Sequence, residues 1–272
     1  MWADKIEEFI AEDVGEGDIT SDILLGDEHG KAHITSNDDC VLAGLEEASR
    51  VFMSLGARPV LMARDGDKVQ KGQEVLIVEG RLKDILAGER LALNFLMRMS
   101  GIATETRKIL EDCRNVNPNV KIAATRKTTP GFRFYEKKAV RLGGGDPHRY
   151  GLFDGILIKD NHLKVVGDVR RAVERARSYS FSKKVEVEVE DVQGAEDAAR
   201  AGADIIMLDN MTPELAEKCH DIVKNIDSRI IIEVSGGITP DNARLFARHA
   251  DVISLGWITH SARSAQFTLH VL

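Results

Sequence analysis

From residue 120 onward, short apolar runs alternate with longer amphipathic stretches. Six runs rich in β-branched residues predict strands, namely VKIAATR, DGILIKDN, KVEVEVE, DIIMLDN, RIIIEVSGG and DVISLGW. Between them, apolar residues at helical spacing predict helices over residues 165–178, 192–201, 213–225 and 240–249. Strands that alternate with helices imply βαβ units, and mostly apolar strands are typical of a parallel sheet buried on both faces. The second half of the chain is therefore predicted to be an α/β domain with a parallel sheet.

The first hundred residues have a different pattern. Apolar spacing predicts short helices over residues 4–12 and 45–55, with runs between and after them that look like strands joined by turns. Residues 83–111 have a long helical pattern, which we expect Ser100-Gly101 to break into two helices. A domain boundary is expected near residues 100–104.

Polar residues follow each of the six predicted strands at its carboxyl end. In α/β barrels the active site is built at this end of the parallel strands, so the pattern predicts an active site at the carboxyl rim. The residues are Arg126-Lys127, Lys159-Asp160-Asn161, Glu188-Val189-Glu190, Asp209-Asn210, Ser235-Gly236-Gly237 and Gly256.

Charge is distributed unevenly along the chain. The formal net charge is −7, yet residues 125–162 concentrate nine Lys, Arg and His residues that we single out, which predicts a local anion site. An acidic protein with a sequence pI near 5.7 is a poor candidate for general nucleic-acid binding. The sequence has no visible signal peptide and no apolar run long enough for a membrane span, and its three cysteines are far apart. We therefore expect a cytoplasmic protein with no membrane partner.

The residue types at the rim predict a division of roles. Arg126, His148, Arg149 and Lys159 supply donors for carboxylates or phosphates. Glu188 and Asp209 are suited to sugar hydroxyls or to a hard cation such as Mg²⁺. The glycines after the last two strands, with a helix expected to begin near Pro240, predict a phosphate cradle. The strict alternation in KVEVEVE places Glu186, Glu188 and Glu190 on one face, which is costly inside a barrel unless they bind cations or hydroxyls.

At these residues the sequence closely resembles the quinolinate phosphoribosyltransferase family, also called nicotinate-nucleotide pyrophosphorylase (carboxylating). The likeness covers nearly the whole chain and is specific only when its motifs are taken together. They are EDVGEGDIT, ERLALNFLMRMSGIATETR, TRKTTPGFR, EKKAVRLGGG, HRYGLFDGILIKDNHL, VEVEVED, ADIIMLDNM, EVSGGIT and SLGWITHS.

The resemblance implies a fold and a reaction. The implied fold is α/β: an N-terminal open-faced α/β sandwich over residues 1–103, to which residues 263–272 are a candidate addition, and an atypical α/β barrel with six parallel strands over residues 104–262. The implied reaction transfers the 5-phosphoribosyl group of phosphoribosyl pyrophosphate to quinolinate with decarboxylation, in de novo NAD biosynthesis. Family members are typically dimers or larger, and Mg²⁺ is the implied cofactor.

The resemblance also implies site residues. Arg126, His148, Arg149 and Lys159 are similar to the quinolinate-binding set, and Arg90 is similar to an arginine donated by the neighbouring subunit. Lys127 and Lys159 are similar to contacts to phosphoribosyl pyrophosphate. Glu188 and Asp209 are similar to carboxylates near the ribose and Mg²⁺, whether they contact the metal directly or through substrate or water. Lys127, Lys159, Glu188 and Asp209 form the implied catalytic set. The implied 5-phosphate loops contain Ser235, Gly236, Gly237 and Gly256.

Two positions depart from the family pattern, and one group of cations has another expected role. Asp146-Pro147 stands where many relatives have Asn, which puts a negative charge near the dicarboxylate pocket, and Trp257 is larger than expected after Gly256. The cations Arg133, Lys137, Lys138 and Arg141 are expected on a helix face, for solvation or a subunit contact.

Two other functions compete with this interpretation. The first is a paralogous phosphoribosyltransferase-like protein associated with molybdenum transport, against which the intact HR and IKDNH motifs count. The second is a non-catalytic anion- or nucleotide-binding module. Against the module, Glu188 and Asp209 are predicted at the same mouth, where carboxylates repel an anion unless a metal or sugar intervenes.

Overall fold

The computed structural model describes residues 5–272, which divide into two compact units. The first comprises residues up to Arg107 together with Phe134–Gly144 and Ala262–Leu272, and the second comprises Lys108–Arg133 and Gly145–Ser261. The domain limits given in the sequence analysis stay a prediction. The two units differ from those limits chiefly at Phe134–Gly144, a segment that belongs to the first unit. Within residues 5–272, no helix is both long enough and apolar enough to cross a membrane.

The first unit is built on an antiparallel sheet with helices. The sheet has the strand order β12-β1-β5-β3, and a two-stranded ribbon pairs β2 with β4. The elements up to the long helix are α1 (Ile6–Asp13), α2 (Ile19–Leu24), β1 (His29–Ser36), β2 (Cys40–Val41), α3 (Leu45–Ser54), β3 (Arg58–Leu61), β4 (Lys68–Val69), β5 (Glu74–Arg81) and α4 (Leu82–Arg114), and β12 (Phe267–Val271) returns from the end of the chain. Of the helix predicted over residues 4–12, residue 4 lies outside the described residues.

The expected break at Ser100-Gly101 is wrong, because α4 is one continuous helix. Ser100 Oγ donates to the main-chain oxygen of Ala43 and accepts from its N–H, so this residue fastens the helix to the segment after β2. A Cβ built on Gly101 would lie 2.8 Å from the Cα of Ser264 and also against the carbonyl oxygen of Arg263. Glycine is present here so that another backbone can approach the helix, a requirement that sequence alone does not distinguish from a helix break.

Gly101→Ala should lower the free energy of unfolding by about 1–3 kcal/mol, because the new methyl group meets rigid backbone. Gly88→Ala in the same helix is the matched control, since the nearest atoms to its Cβ would be side-chain atoms of Leu55 and Phe52, at 3.0–3.2 Å. Both variants gain the same helix propensity. Urea denaturation measures both, and equal stability of the two variants would contradict the packing role of Gly101.

The structure contradicts the expected solvation of Lys137 on α5 (Arg133–Leu142). Lys137 is fully buried, and Lys138 Nζ donates to Glu46 Oε2 at 2.6 Å and to Glu47 Oε1 at 2.7 Å. Arg141 is exposed, as expected. Charge composition predicted a surface face, but Glu46 and Glu47, distant in sequence, balance Lys138 within the first unit.

The second unit contains a six-stranded parallel sheet, which confirms the predicted fold class. All six predicted runs form strands, and their order is β6-β11-β10-β9-β8-β7 with parallel pairing throughout. The strands are β6 (Lys121–Ala124), β7 (Ile156–Ile158), β8 (Val185–Val189), β9 (Ile205–Asp209), β10 (Ile231–Ser235) and β11 (Val252–Leu255). The first strand therefore pairs with the last, and β6 and β7 are the two edges.

The cation-rich segment singled out in the sequence connects these two edge strands. After α5 the chain returns to β6, where Asp146 N–H donates to the Ile122 carbonyl at 2.7 Å and Ala124 N–H donates to the Asp146 carbonyl at 2.9 Å. This short bridge places His148 and Arg149 next to the edge of the sheet. The Asp146 carboxylate is exposed and accepts the His148 main-chain N–H at 2.7 Å. This hydrogen bond stabilises a local turn.

The helices between the strands follow the predicted pattern with two differences. They are α6 (Asp160–Val166), α7 (Val169–Tyr179), α8 (Val192–Arg200), α9 (Pro213–Ile226), α10 (Ala243–Phe246) with a 3₁₀ turn (Ala247–His249), and α11 (Trp257–His260). Gly167, at a positive φ of 80°, divides the helix predicted over residues 165–178. The helix predicted from Pro240 begins only at Ala243 and is four residues long.

Candidate active site

A cavity of about 420 Å³ opens among the carboxyl ends of the parallel strands. It brings together most of the residues predicted for the site. Among its lining residues are Arg126, Lys127, His148, Arg149, Lys159, Glu188, Asp209, Ser235, Gly236 and Gly237. Of the residues to which the resemblance gives a role, Gly256 and Arg90 do not line it. Gly256 follows β11, and a Cβ there would lie 2.8 Å from Lys127 Cδ. Arg90 lies on α4 of the first unit and is exposed.

The arginines give one wall of the cavity its positive charge. Arg126 Nε is buried and has no hydrogen-bond partner among residues 5–272, which leaves a donor available to a ligand. Burial lowers the pKa of the Arg149 guanidinium from its ordinary value, while the carboxylate of Glu186 acts in the opposite direction. An arginine remains charged through such shifts. This wall is therefore suited to carboxylate or phosphate groups.

A Lys–Glu ion pair stands inside the cavity. Lys159, after β7, donates through Nζ to Glu188 Oε2 on β8. The Glu188 side chain is only 9% exposed, whereas the Lys159 side chain is 44% exposed. The lysine thus balances a buried carboxylate and still reaches the open part of the cavity, where an anionic ligand could bind it.

Asp209 and the glycine loop are joined through Asn210. Asn210 adopts a left-handed φ of 55°, and its Nδ2 donates to Asp209 Oδ2 at 2.7 Å. Its main-chain N–H donates to the Ser235 carbonyl at 3.0 Å. A Cβ on Gly236 would lie 2.5 Å from Asn210 Oδ1, so only glycine fits against this side chain. Left-handed non-glycine residues cluster at functional sites, where surrounding contacts maintain the strain.

The expected phosphate cradle differs from its predicted form. Gly236 and Gly237 have positive φ values of 81° and 62°, and Asn242 Nδ2 closes the loop by donating to the Gly237 carbonyl at 3.1 Å. Because α10 begins three residues later than expected and has a single turn, its dipole contributes little at this point. The loop main chain, rather than a helix N-terminus, faces the cavity.

Three polar residues of the strands form a buried network that the sequence pattern did not assign to the site. Ser254 Oγ on β11 donates to Glu233 Oε1 on β10 at 2.5 Å, and His148 Nε2 lies 3.3 Å from Glu233 Oε2. Glu186 on β8 is buried, with Oε2 3.7 Å from His148 Nε2. Burial raises the pKa of Glu186 to about 8, and the negative charge of Glu233 adds to the rise. The signal for Glu233 and Ser254 was a polar residue within an otherwise apolar strand.

His148, Glu186 and Glu233 lie close enough to hold a metal ion, with one ligand atom of each within 4.8 Å of the others. The hydrogen bonds argue against this use. Arg149 N–H donates to His148 Nδ1 at 2.8 Å, so the proton of the neutral ring is on Nε2. A protonated Nε2 cannot bind a metal. The three side chains are therefore assigned to a hydrogen-bond network.

The fold and the cavity together define a class of protein: an α/β-barrel protein with a cation-lined cavity at the carboxyl ends of its strands. Two family models match successive parts of the chain, the quinolinate phosphoribosyl transferase N-terminal domain over residues 18–100 and the C-terminal domain over residues 102–270. The chain belongs to the quinolinate phosphoribosyl transferase family.

Relatives and solved structures agree with this membership. A probable nicotinate-nucleotide pyrophosphorylase [carboxylating] of Methanothermobacter thermautotrophicus is 46% identical over 275 residues, covering 98% of each chain. A protein of the same name from Archaeoglobus fulgidus is 49% identical, covering 89% of this chain and 94% of its own length. The crystal structure of NadC from Streptococcus pyogenes has a TM-score of 0.91 and 39% identity, covering 98% of this chain and 96% of that chain.

Proposed function

We propose that this chain transfers the 5-phosphoribosyl group of phosphoribosyl pyrophosphate to the ring nitrogen of quinolinate. Loss of the 2-carboxylate then gives nicotinate mononucleotide, pyrophosphate and CO₂, a step of de novo NAD biosynthesis. One observation carries the proposal: a single cavity contains a cationic wall, the carboxylates of Glu188 and Asp209, and a glycine loop. The names of the relatives support it and do not favour the molybdenum-associated paralogue.

The cationic wall is the proposed site of the dicarboxylate. Arg126 and Arg149 have the planar forks that bind carboxylates in bidentate fashion, and the buried Nε of Arg126 supports a ligand there. His148 and Lys159 line the same cavity, and Lys159 pairs with Glu188. Holding both carboxylates would present the ring nitrogen to the ribose C1 in a reactive orientation.

The carboxylates are the proposed site of the ribose. As pyrophosphate departs, positive charge develops at the ribose C1, and Glu188 and Asp209 would stabilise that charge. Lys127 and Lys159 would contact the phosphates. Mg²⁺ fits this pair of carboxylates, since it commonly takes one or two of them with further ligands from phosphates and water. When bound, the ion would neutralise the leaving pyrophosphate.

The loop after β10, with Ser235, Gly236 and Gly237, is the proposed site of the 5-phosphate. Gly256 belongs to the second loop that the family resemblance assigns to this phosphate. A homodimer or larger assembly is proposed because Arg90 is exposed and is the arginine that the family resemblance assigns to a neighbouring subunit's site. A cytoplasmic location is also proposed, supported by three cysteines that are buried and not in disulfides.

Incubation with quinolinate, phosphoribosyl pyrophosphate and Mg²⁺ tests the proposal directly. Nicotinate mononucleotide should form, detected by chromatography, and nicotinate should be a much poorer acceptor because it lacks the second carboxylate. No product from a folded protein would refute the proposed reaction. Equal turnover of the two acceptors would refute the dicarboxylate role of Arg126 and Arg149.

Asn210 offers a test of the ribose and phosphate end. Asn210→Ala should raise the KM for phosphoribosyl pyrophosphate by about tenfold, because it removes the bond to Asp209 and places a Cβ residue without a polar side chain at positive φ. Asn210→Gly also removes the side chain, but glycine adopts the positive φ without strain. The KM for phosphoribosyl pyrophosphate should therefore rise less in this variant. Steady-state kinetics measure both, with the KM for quinolinate as the internal control. An unchanged KM for phosphoribosyl pyrophosphate in Asn210→Ala would contradict this role.

A further inference from the structure

A hydrogen-bonded chain runs from the interior of the sheet to the cationic wall of the cavity. It starts at Ser254 Oγ on β11, passes through both oxygens of Glu233 on β10 and reaches His148 Nε2. Glu233 is 2% exposed and Ser254 is 3% exposed. A carboxylate buried this deeply is costly unless its partners are well placed, so its presence calls for an explanation.

His148 uses both of its ring nitrogens within the protein. Nδ1 accepts the main-chain N–H of Arg149 at 2.8 Å, which leaves the proton of the neutral ring on Nε2, where it faces Glu233 Oε2 at 3.3 Å. A ring in this state has no second N–H to offer a carboxylate in the cavity. Because the His148 ring is neutral in this state, Arg149 is the charged side chain of this residue pair.

The backbone at His148 is strained in a way that the ring contacts support. Its φ is 50°, in the left-handed region that costs a residue with a Cβ about 1–3 kcal/mol. The Asp146 carboxylate accepts the His148 N–H at 2.7 Å, and the ring accepts the next N–H along the chain. Such a turn sets the direction in which the Arg149 side chain leaves the backbone.

We infer that Glu233 is a positioning residue: with Ser254 it fixes the ring of His148, and the ring fixes the main chain of Arg149. Through its contact with the Arg149 N–H, His148 orients the main chain of Arg149 beside the proposed dicarboxylate site. The inference rests on the proposed function for its kinetic consequence, but not for the state of the histidine ring.

Kinetics of matched variants test the consequence. Glu233→Ala should raise the KM for quinolinate about tenfold and leave the KM for phosphoribosyl pyrophosphate within about twofold, since one buried hydrogen-bond anchor is lost. Glu233→Gln keeps an acceptor for His148 Nε2–H and should recover most of the affinity. Ser254→Ala removes one hydroxyl and should shift the same KM less, which provides a mild variant if Glu233→Ala unfolds at a lower temperature. In a double-mutant cycle, Glu233→Ala and His148→Ala should be less than additive, because they act in one chain.

A spectroscopic measurement on the substrate-free protein tests the cause. In protein labelled with ¹⁵N-histidine, the ring signals that disappear in His148→Asn belong to His148. They should report an unprotonated Nδ1 and a protonated Nε2, which supports the inference even if the transferase assay fails. A proton on Nδ1 would overturn it. An unchanged KM for quinolinate in folded Glu233→Ala, or strictly additive effects in the cycle, would also overturn it.

Discussion

Glu188→Gln should lower kcat by about 10²–10³-fold, the loss typical when one preorganised electrostatic group is removed from an active site. Glutamine preserves the shape of the Glu188 side chain and removes its charge. Lys159, which donates to Glu188 Oε2, would then leave the cavity more positive. Quinolinate and phosphoribosyl pyrophosphate are anions, so their KM values should stay near those of the unmodified protein or fall. A loss confined to kcat is the signature of charge stabilisation at the ribose C1.

Glu190→Gln is the matched control for that experiment. Glu190 follows the same strand two residues later, but it is exposed and does not line the cavity. Its kcat should match that of the unmodified protein, and thermal unfolding of both variants checks that the fold is intact. A kcat for Glu188→Gln within about threefold of the control would contradict the electrostatic role given to Glu188.

Mixing Arg90→Ala with Lys159→Ala should restore activity that neither variant has alone. In a symmetric dimer with exchanged subunits, half of the molecules are mixed, and each has one site with Lys159 and a donated Arg90. About a quarter of the original activity is expected. The measurement is the rate of nicotinate mononucleotide formation after denaturation and joint refolding, with exchange verified by differently tagged subunits.

Two controls define how the mixing experiment is interpreted. Each variant refolded alone should remain inactive. Lys159→Ala mixed with Glu188→Gln should not restore activity. Lys159 and Glu188 are supplied to a site by the same chain. Every site in the mixture therefore lacks one of the two residues. Verified exchange without recovered activity in the Arg90→Ala mixture would contradict donation of Arg90 in trans.

Sequence pattern predicted most of the role-bearing residues that line the cavity, because polar residues mark the strand ends and a parallel sheet brings those ends to one edge. Polar residues follow the carboxyl end of each strand, and Arg126, Lys159 and Asp209 therefore meet at one rim although they are far apart in sequence. The same reasoning gave all six strands and their parallel pairing. The order of the strands in the sheet could not be predicted from the sequence pattern, because the pairing of β6 with β11 depends on contacts across the whole unit.

The features that sequence pattern missed depend on tertiary contacts. Gly101 has the local signature of a helix break, but its role is set by Arg263 and Ser264, which are distant in the chain. Lys137 has the signature of a solvated face and is fully buried. Glu233 is one polar residue in an apolar strand. Its role is recognised only in the structure, where His148 lies beside it.

The most direct test of the proposed reaction follows a labelled carboxylate. Quinolinate labelled with ¹⁴C in the 2-carboxyl group should release labelled CO₂ only when phosphoribosyl pyrophosphate is present, in a one-to-one ratio with nicotinate mononucleotide. Release of CO₂ without phosphoribosyl pyrophosphate, or formation of a nucleotide that retains the label, would contradict the coupling of ribosyl transfer to decarboxylation in this cavity.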